Sequence, residues 1–428
     1  MLKVRFVLYF LVLLTGNLVL LNEAIANSTE LGRRNMVLEN AGFPRLFAMA
    51  FMEQGINRPD IQAQLAKYDI AILGFRPKWE QTTRVSIQTV VKSIKKLNPD
   101  ILLGNYSILS EACVEYKDVT KERTAVLDMQ KWWLTKADGT RVSLNPNTCR
   151  LEINFTEFAK PDSLGRRYPE WAADWFYQEY YAGVPEFDFW YFDAVRFRTW
   201  IKEADWKDHG ENQSGDDSSL WPAYRRGQAA HFKAAQRLSP NMLFIANTDN
   251  NLSSPEYKGV LDAAFLECLM GKQWSYESRN GWHSMMNYYR SISNNLRGPA
   301  TTVFGVCGNP DDYQFFRYSF ASSLMGNGYF SFANSETYGV PPWFDEYNVN
   351  LGRASEVPPL APTKNGLFKR TFENGLVLVN PTSKSLRFSV PSGYRHIYGQ
   401  QDSSVNNGQP VTEVIIPSKD GLLLVKQY

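Results

Sequence analysis

Between Arg45 and Phe332, eight short apolar runs recur, most of them separated by a stretch with helical spacing. That recurrence limits the possible folds more than any other feature of the chain. The runs are Arg45–Phe51, Ile70–Phe75, Ile101–Tyr106, Phe187–Val195, Met242–Asn247, Ala263–Leu269, Thr301–Cys307 and Gly328–Phe332. They largely lack the period-2 polarity of a half-solvated antiparallel strand, so each reads as a strand covered on both faces. Val85–Leu97, with Ile87, Val90, Val91, Ile94 and Leu97 at helical spacing ahead of Pro99, reads as one of the helices between them. Eight βα units in this span predict an α/β fold, a (β/α)8 TIM barrel over residues 27–358. The alternative is a doubly wound open sheet. Against it, no glycine-rich phosphate fingerprint follows the first strand, and Gly326-Asn327-Gly328 lacks the third glycine.

The pattern changes after Pro358-Pro359 and Pro362. From Gly366 onward, strand-like runs are separated by Glu-Asn-Gly, Asn-Asn-Gly and Lys-Asp-Gly turns, which signal antiparallel hairpins. Residues 363–428 are therefore predicted to form a small C-terminal antiparallel β-sandwich. At the other end, Lys3 and Arg5 precede the apolar run Phe6–Leu21, and Ala24-Ile25-Ala26 has the small-x-small form of a cleavage site. Residues 1–26 read as a secretory signal peptide cleaved after Ala26, which makes the chain secreted, periplasmic or held at the cell surface. An uncleaved membrane anchor is the alternative, opposed by the polar break Thr15-Gly16-Asn17. No stable membrane insertion is expected after cleavage.

A formal charge of +2 on 428 residues gives no support to a nucleic-acid partner. The four cysteines show no CxxC spacing. Cys113 and Cys149 flank a polar excursion and can pair in an oxidising compartment, whereas Cys268 and Cys307 lie in apolar runs and read as buried thiols.

In a barrel of this kind, function gathers at the C-terminal ends of the strands. None of the four histidines, His209, His231, His283 and His396, stands at such an end. There is no HExxH or Cys/His cluster for zinc, no GxSxG elbow for a serine hydrolase and no Walker loop for NTP hydrolysis. What remains is a pair of carboxylates among aromatics, the equipment of glycoside hydrolysis.

Asp193 and Glu267, closing strands four and six, are the best catalytic pair. Burial in apolar runs would raise a carboxyl pKa, as a general acid requires. Strands two apart lie about 10 Å apart at the backbone, so the carboxyl separation, and with it the stereochemical outcome, stays open. Each has a structural alternative: Asp193 capping the next segment or pairing with Arg196 or Arg198, and Glu267 in a buried ion pair. Among substrate-binding candidates, Arg76 and Arg196 can keep the carboxylates ionised or meet an acidic sugar. Asn105, Tyr106, Asn154 and Asn247 can hydrogen-bond hydroxyls, and Trp79 and Trp274 are candidate stacking platforms. Glu53 stands at the end of strand one, with Asp249 and Glu336 as reserve carboxylates after strands five and eight. The expected partner is a poly- or oligosaccharide, and no metal or organic cofactor is called for. The rival reading is a non-catalytic carbohydrate-binding barrel that holds its carboxylates in salt bridges.

The strand FDFWYFDAV, the earlier segment LEINFT and the C-terminal stretches ENGLVLVNPT and PSKDGLLLV carry a family resemblance. In these the chain resembles hypothetical glycosyl hydrolase family 15 and, more distantly, the α-amylase and α-galactosidase type barrels. The resemblance implies a (β/α)8 barrel with a β-sandwich tail. It also implies a strand-four nucleophile at Asp193 and a strand-six acid/base at Glu267. Two departures from the distant relatives stand out: Asp188 is followed by Phe189 where they often carry Asp-Gly, and strand three offers Asn105 in place of the amylase-type histidine.

Overall fold

The computed structural model describes residue 32 and residues 42–51, 55–114, 121–248, 252–298, 300–334 and 338–427. Its main sheet has eight parallel strands: β1 (Phe47–Ala50), β2 (Ile70–Leu73), β3 (Leu102–Ile108), β4 (Phe189–Val195), β5 (Leu243–Thr248), β6 (Ala263–Met270), β7 (Thr301–Gly308) and β8 (Tyr329–Asn334). They neighbour one another in chain order, as the repeated βα pattern requires. The ends of the sheet meet. Leu46, just before β1, bridges in parallel to Phe330 in β8, and the Phe330 amide donates to the Arg45 carbonyl at 2.8 Å. The expected barrel is present.

Helices α1 (Pro59–Leu65), α2 (Ile87–Leu97), α3 (Lys121–Gln130), α4 (Tyr168–Phe176), α5 (Trp221–Leu238), α6 (Tyr276–Ser291) and α7 (Tyr313–Ser323) lie between the strands. In α2 the sequence logic is plain. Ser86 caps the first turn, its Oγ accepting from the Thr89 amide at 3.0 Å. Ile87, Val90, Val91 and Ile94 turn a single apolar face inward and are buried. Fully burying each such side chain contributes about 1.5–3 kcal/mol.

Strand β4 shows why its sequence is continuously aromatic. Trp190 and Phe192 pack outward against the helical layer, while Phe189 and Tyr191 fill the barrel interior. Gly104 in β3 is what admits Phe189, because a Cβ at that position would stand 2.4 Å from the ring.

As the turn pattern predicted, the C-terminal region is antiparallel, and it has two small sheets. The first contains β9 (Phe368–Thr371), β10 (Gly375–Asn380), β14 (Asp420–Lys426) and β12 (Tyr394–His396), in that order; the second pairs β11 (Leu386–Ser389) with β13 (Glu413–Ile416). Val377, Val379 and Leu423 from the larger sheet join the outer core of the barrel, whereas Leu376, Leu378, Leu422 and Leu424 pack with Val414 and Ile416 of the smaller. Arg317 in α7 clamps this contact, donating to both carboxylate oxygens of Asp420 at 3.0 Å.

Both cysteine pairs are disulfides. Cys113–Cys149 is the pairing that the sequence allowed. Cys268–Cys307 corrects the reading of those two as buried thiols: they lie on adjacent strands β6 and β7, with Cα atoms 5.0 Å apart. A separation of 39 residues gives no sign of that proximity until the barrel is closed. The proposed leader, residues 1–26, lies outside the described residues. Among those described, no helix is long and apolar enough to cross a membrane.

Candidate active site

Strand alternation builds the site. Side chains two apart on a strand share a face, and the inward positions of β4, β5 and β6 read Phe189-Tyr191-Asp193, Leu243-Ile245-Asn247 and Ala263-Phe265-Glu267. In each triplet, two residues join the apolar plug of the barrel. The third, one step nearer the C-terminal rim, is polar. The same two-residue step on β3 leads from Gly104 to Tyr106.

Asn247 joins the two carboxylates. Its Nδ2 donates to Oδ1 of Asp193 at 2.9 Å and to Oε2 of Glu267 at 2.8 Å. The two oxygens can therefore be no farther apart than those distances laid end to end. That bound is compatible with the roughly 5–5.5 Å carboxyl separation of retaining glycosidases.

The remaining oxygens are also held by uncharged donors. The Tyr106 hydroxyl donates to Oδ2 of Asp193 at 2.5 Å, the Ala194 amide donates to Oδ1 at 2.8 Å, and the Tyr338 hydroxyl donates to Oε1 of Glu267. Burial, and then the negative charge of Asp193, push the Glu267 carboxyl above the ordinary carboxylate range. Burial and the facing carboxylates likewise raise Tyr106 and Tyr338, so both stay protonated as donors. Among the described residues neither carboxylate forms an ion pair.

The pair opens into a cavity of about 580 Å³, within the usual range of ligand pockets. The cavity runs from Asp193, Asn247, Glu267 and Tyr338 across the ends of β2 and β3 to Trp175 and Tyr180, beside the π-helical turn that continues α4.

The sequence profile of hypothetical glycosyl hydrolase family 15 matches residues 95–376, which hold β3 to β8 and both carboxylates. The chain belongs to that family. No curated protein matches the sequence. Among solved structures, a Kfla1895 variant in complex with isomaltose is 10% identical, with a TM-score of 0.50 over 90% of this chain and 62% of that one. The glycoside hydrolase domain of PelA from Pseudomonas aeruginosa is 13% identical over 69% of this chain and 95% of that one, with a TM-score of 0.41. The acarbose-soaked debranching enzyme of Nostoc punctiforme is 9% identical over 87% and 88%, also with a TM-score of 0.41. At these identities the similarity concerns the fold.

In this family member the cavity gathers Asp193, Glu267, Tyr106, Asn247 and Arg76 from the candidates read in the sequence. Asn105 is fully buried and belongs to the scaffold; its side chain accepts from the Phe75 amide at 2.9 Å and donates to the Phe75 carbonyl. Asn154 likewise braces a turn, with Thr156 donating to its Oδ1 and its Nδ2 donating to the Trp206 carbonyl. Trp79 is a core residue packed edge-on against Phe75. Trp274 follows β6 and stands 51% exposed, outside the cavity wall. Arg196 does not pair with Asp193; its guanidinium stacks 3.7 Å from the ring centre of the exposed Trp200. Glu53, Asp249 and Glu336 lie outside the described residues.

Sequence reasoning missed Tyr338 and the wall residues Glu111, Arg123 and Arg150. Tyr338 lies four residues beyond β8, where no periodicity reaches it. The others come from the long insertion after β3, whose short strands Glu111–Cys113 and Arg150–Glu152 pair and fold back over the cavity.

Proposed function

We infer that this protein is a retaining glycoside hydrolase acting on a poly- or oligosaccharide, with Asp193 as nucleophile and Glu267 as acid/base. The observation that carries this reading is the asparagine bridge. It supports a short carboxyl separation in a single cavity, and no arginine or lysine pairs with either group among the described residues. A binding-only barrel has no need to keep two half-buried carboxylates with no cation in contact.

In the first step an Asp193 oxygen attacks the anomeric carbon as the bond to the leaving oxygen breaks, and protonated Glu267 gives its proton to that oxygen. The raised proton affinity of Glu267 suits this role. The product is a glycosyl ester of Asp193. In the second step, ionised Glu267 takes a proton from water as the water attacks the same carbon, and Asp193 leaves as a carboxylate. Two displacements on opposite faces retain the anomeric configuration. Tyr106 and the Ala194 amide hold the Asp193 oxygens in line for attack. The chemistry runs on these side chains alone. Two disulfides agree with export by the leader read at residues 1–26, since such bonds persist in oxidising compartments.

The test is reducing-end release from a panel of cell-envelope and plant polysaccharides by the wild type, Asp193→Asn and Glu267→Gln. Cleavage by the wild type with a loss of at least about 100-fold in both variants, roughly 2.7 kcal/mol of transition-state stabilisation, supports the assignment. Binding of a glycan without cleavage, unchanged in both variants, would mean a carbohydrate-binding barrel.

A further inference from the structure

The cavity wall carries cations as well as the carboxylate pair: Arg76, Arg123 and Arg150 all line it, and Arg150 stands within electrostatic reach of Tyr106 and Asp193. Arg123, on α3, is 5% exposed, yet it has no carboxylate partner among the described residues. Among the described residues, the acids next to it in the chain or in contact with it are engaged elsewhere. Glu122, its chain neighbour, lies 3.3 Å from Lys78, and Glu111, whose carbonyl Arg123 touches, lies 2.7 Å from Arg150.

The bonds that Arg123 does make all leave from Nη2: to the carbonyls of Ile108 and Glu111, each at 3.3 Å, and to the Tyr168 hydroxyl. Its Nε is buried with no hydrogen-bond partner. The ring centres of Trp175 and Phe176 lie 5.4 and 5.2 Å from its guanidinium carbon and supply part of the missing negative potential. A buried charge held only by neutral groups is costly. A guanidinium fork with unused donors is the arrangement that accepts an oxyanion. Arg150 reaches the same cavity from the short strand opposite Glu111–Cys113, and its side chain is 56% exposed, with Nη1 on Glu111.

We propose that Arg123 and Arg150 bind the anionic substituent of an acidic glycan, the carboxylate of a uronate or a sulfate ester, in the same cavity as the Asp193–Glu267 pair. This rests on the glycosidase reading for the identity of that cavity and names the substrate class it takes. Glu111 holds Arg150 in place without discharging Arg123.

The experiment measures binding by calorimetry and turnover by reducing-end release. It compares uronate oligosaccharides of three backbones, their carboxyl-reduced neutral counterparts and sulfated oligosaccharides. Wild type, Arg123→Lys and Arg150→Gln are compared, each checked for folding by circular dichroism. Arg150→Gln alters an exposed side chain and keeps the test open if Arg123→Lys fails to fold. The expected result is at least 10-fold tighter binding of one acidic probe than of its neutral counterpart, weakened by salt and reduced at least 5-fold in each folded variant. Whether the uronate or the sulfated probe is preferred identifies the anion. Equal binding of acidic and neutral probes by the wild type, or a preference undiminished in a folded variant, overturns the proposal. Cleavage of neutral glycans without acidic preference would overturn this inference and leave the hydrolase standing. Acidic preference without any cleavage would do the reverse.

Discussion

Strands β4 and β6 each carry a carboxylate at both ends, and the two ends are built differently. At the N-terminal end, Asp188 lies 2.6 Å from Lys95 and accepts from the Leu103 amide at 2.8 Å. Asp262 receives two bonds from Arg297, both at 2.7 Å, and a third from the Phe244 amide, also at 2.7 Å. At the C-terminal end, among the described residues, Asp193 and Glu267 have only tyrosine hydroxyls, an asparagine amide and one main-chain amide. A cation at contact fixes a carboxylate as a charged strut. Neutral donors orient it equally well but leave it able to take a proton or attack a carbon. One end of the barrel thus reads as stability and the other as chemistry, the division expected of this architecture.

Substitutions at the two ends should therefore separate rate from stability. The largest effect on rate is expected for Asp193→Asn, at least about 1,000-fold in kcat, or about 4 kcal/mol, in a protein that unfolds in denaturant at an unchanged midpoint. Glu267→Gln comes next. A loss of about 100-fold is expected on glycosides with poor leaving groups, and far less in the first step with an activated aryl leaving group, which departs without a proton.

A smaller change is expected for Tyr338→Phe, about 10-fold in kcat, with a shift in the pH profile. Glu267 must be protonated to act as the acid, so activity falls as pH rises through its raised pKa. The Tyr338 hydroxyl stabilises the charged form and so lowers that pKa. Its removal should carry the alkaline limb of kcat to higher pH, and a limb moving downward would contradict the assignment. Lys95→Met should leave kcat per folded molecule within about 2-fold while costing about 3–5 kcal/mol in urea unfolding, because Asp188 would remain buried without its cation. A variant with full stability but impaired turnover would erase the distinction between the two ends.

The barrel was legible in the sequence because it is written in repetition. Eight apolar runs and the helical spacing between them fix the order of the strands, and strand alternation then places Asp193 and Glu267 at the rim. Asn247 and Tyr106 were legible for the same reason, as polar residues at strand ends. Other parts of the site depend on contacts that periodicity does not encode. Asn105 also ends a strand, but as the immediate chain neighbour of Tyr106 it turns the other way and binds the Phe75 backbone instead. The Cys268–Cys307 bond needs two strands placed side by side. Tyr338 and Arg123 come from segments with no regular pattern, brought to the cavity by packing alone. The C-terminal hairpins were visible in their turns, while the division into a four-stranded and a two-stranded sheet depends on which edges meet.

The most direct test of the central claim is intact-protein mass spectrometry of the Glu267→Gln variant incubated with an activated aryl glycoside of the sugar that the wild type cleaves. With no base to activate water, the intermediate should accumulate. The expected result is a mass increase of one glycosyl unit, mapping by peptide digestion to Asp193, together with retained anomeric configuration in the wild-type product by proton NMR. An inverted product, or an adduct on any residue other than Asp193, would contradict it.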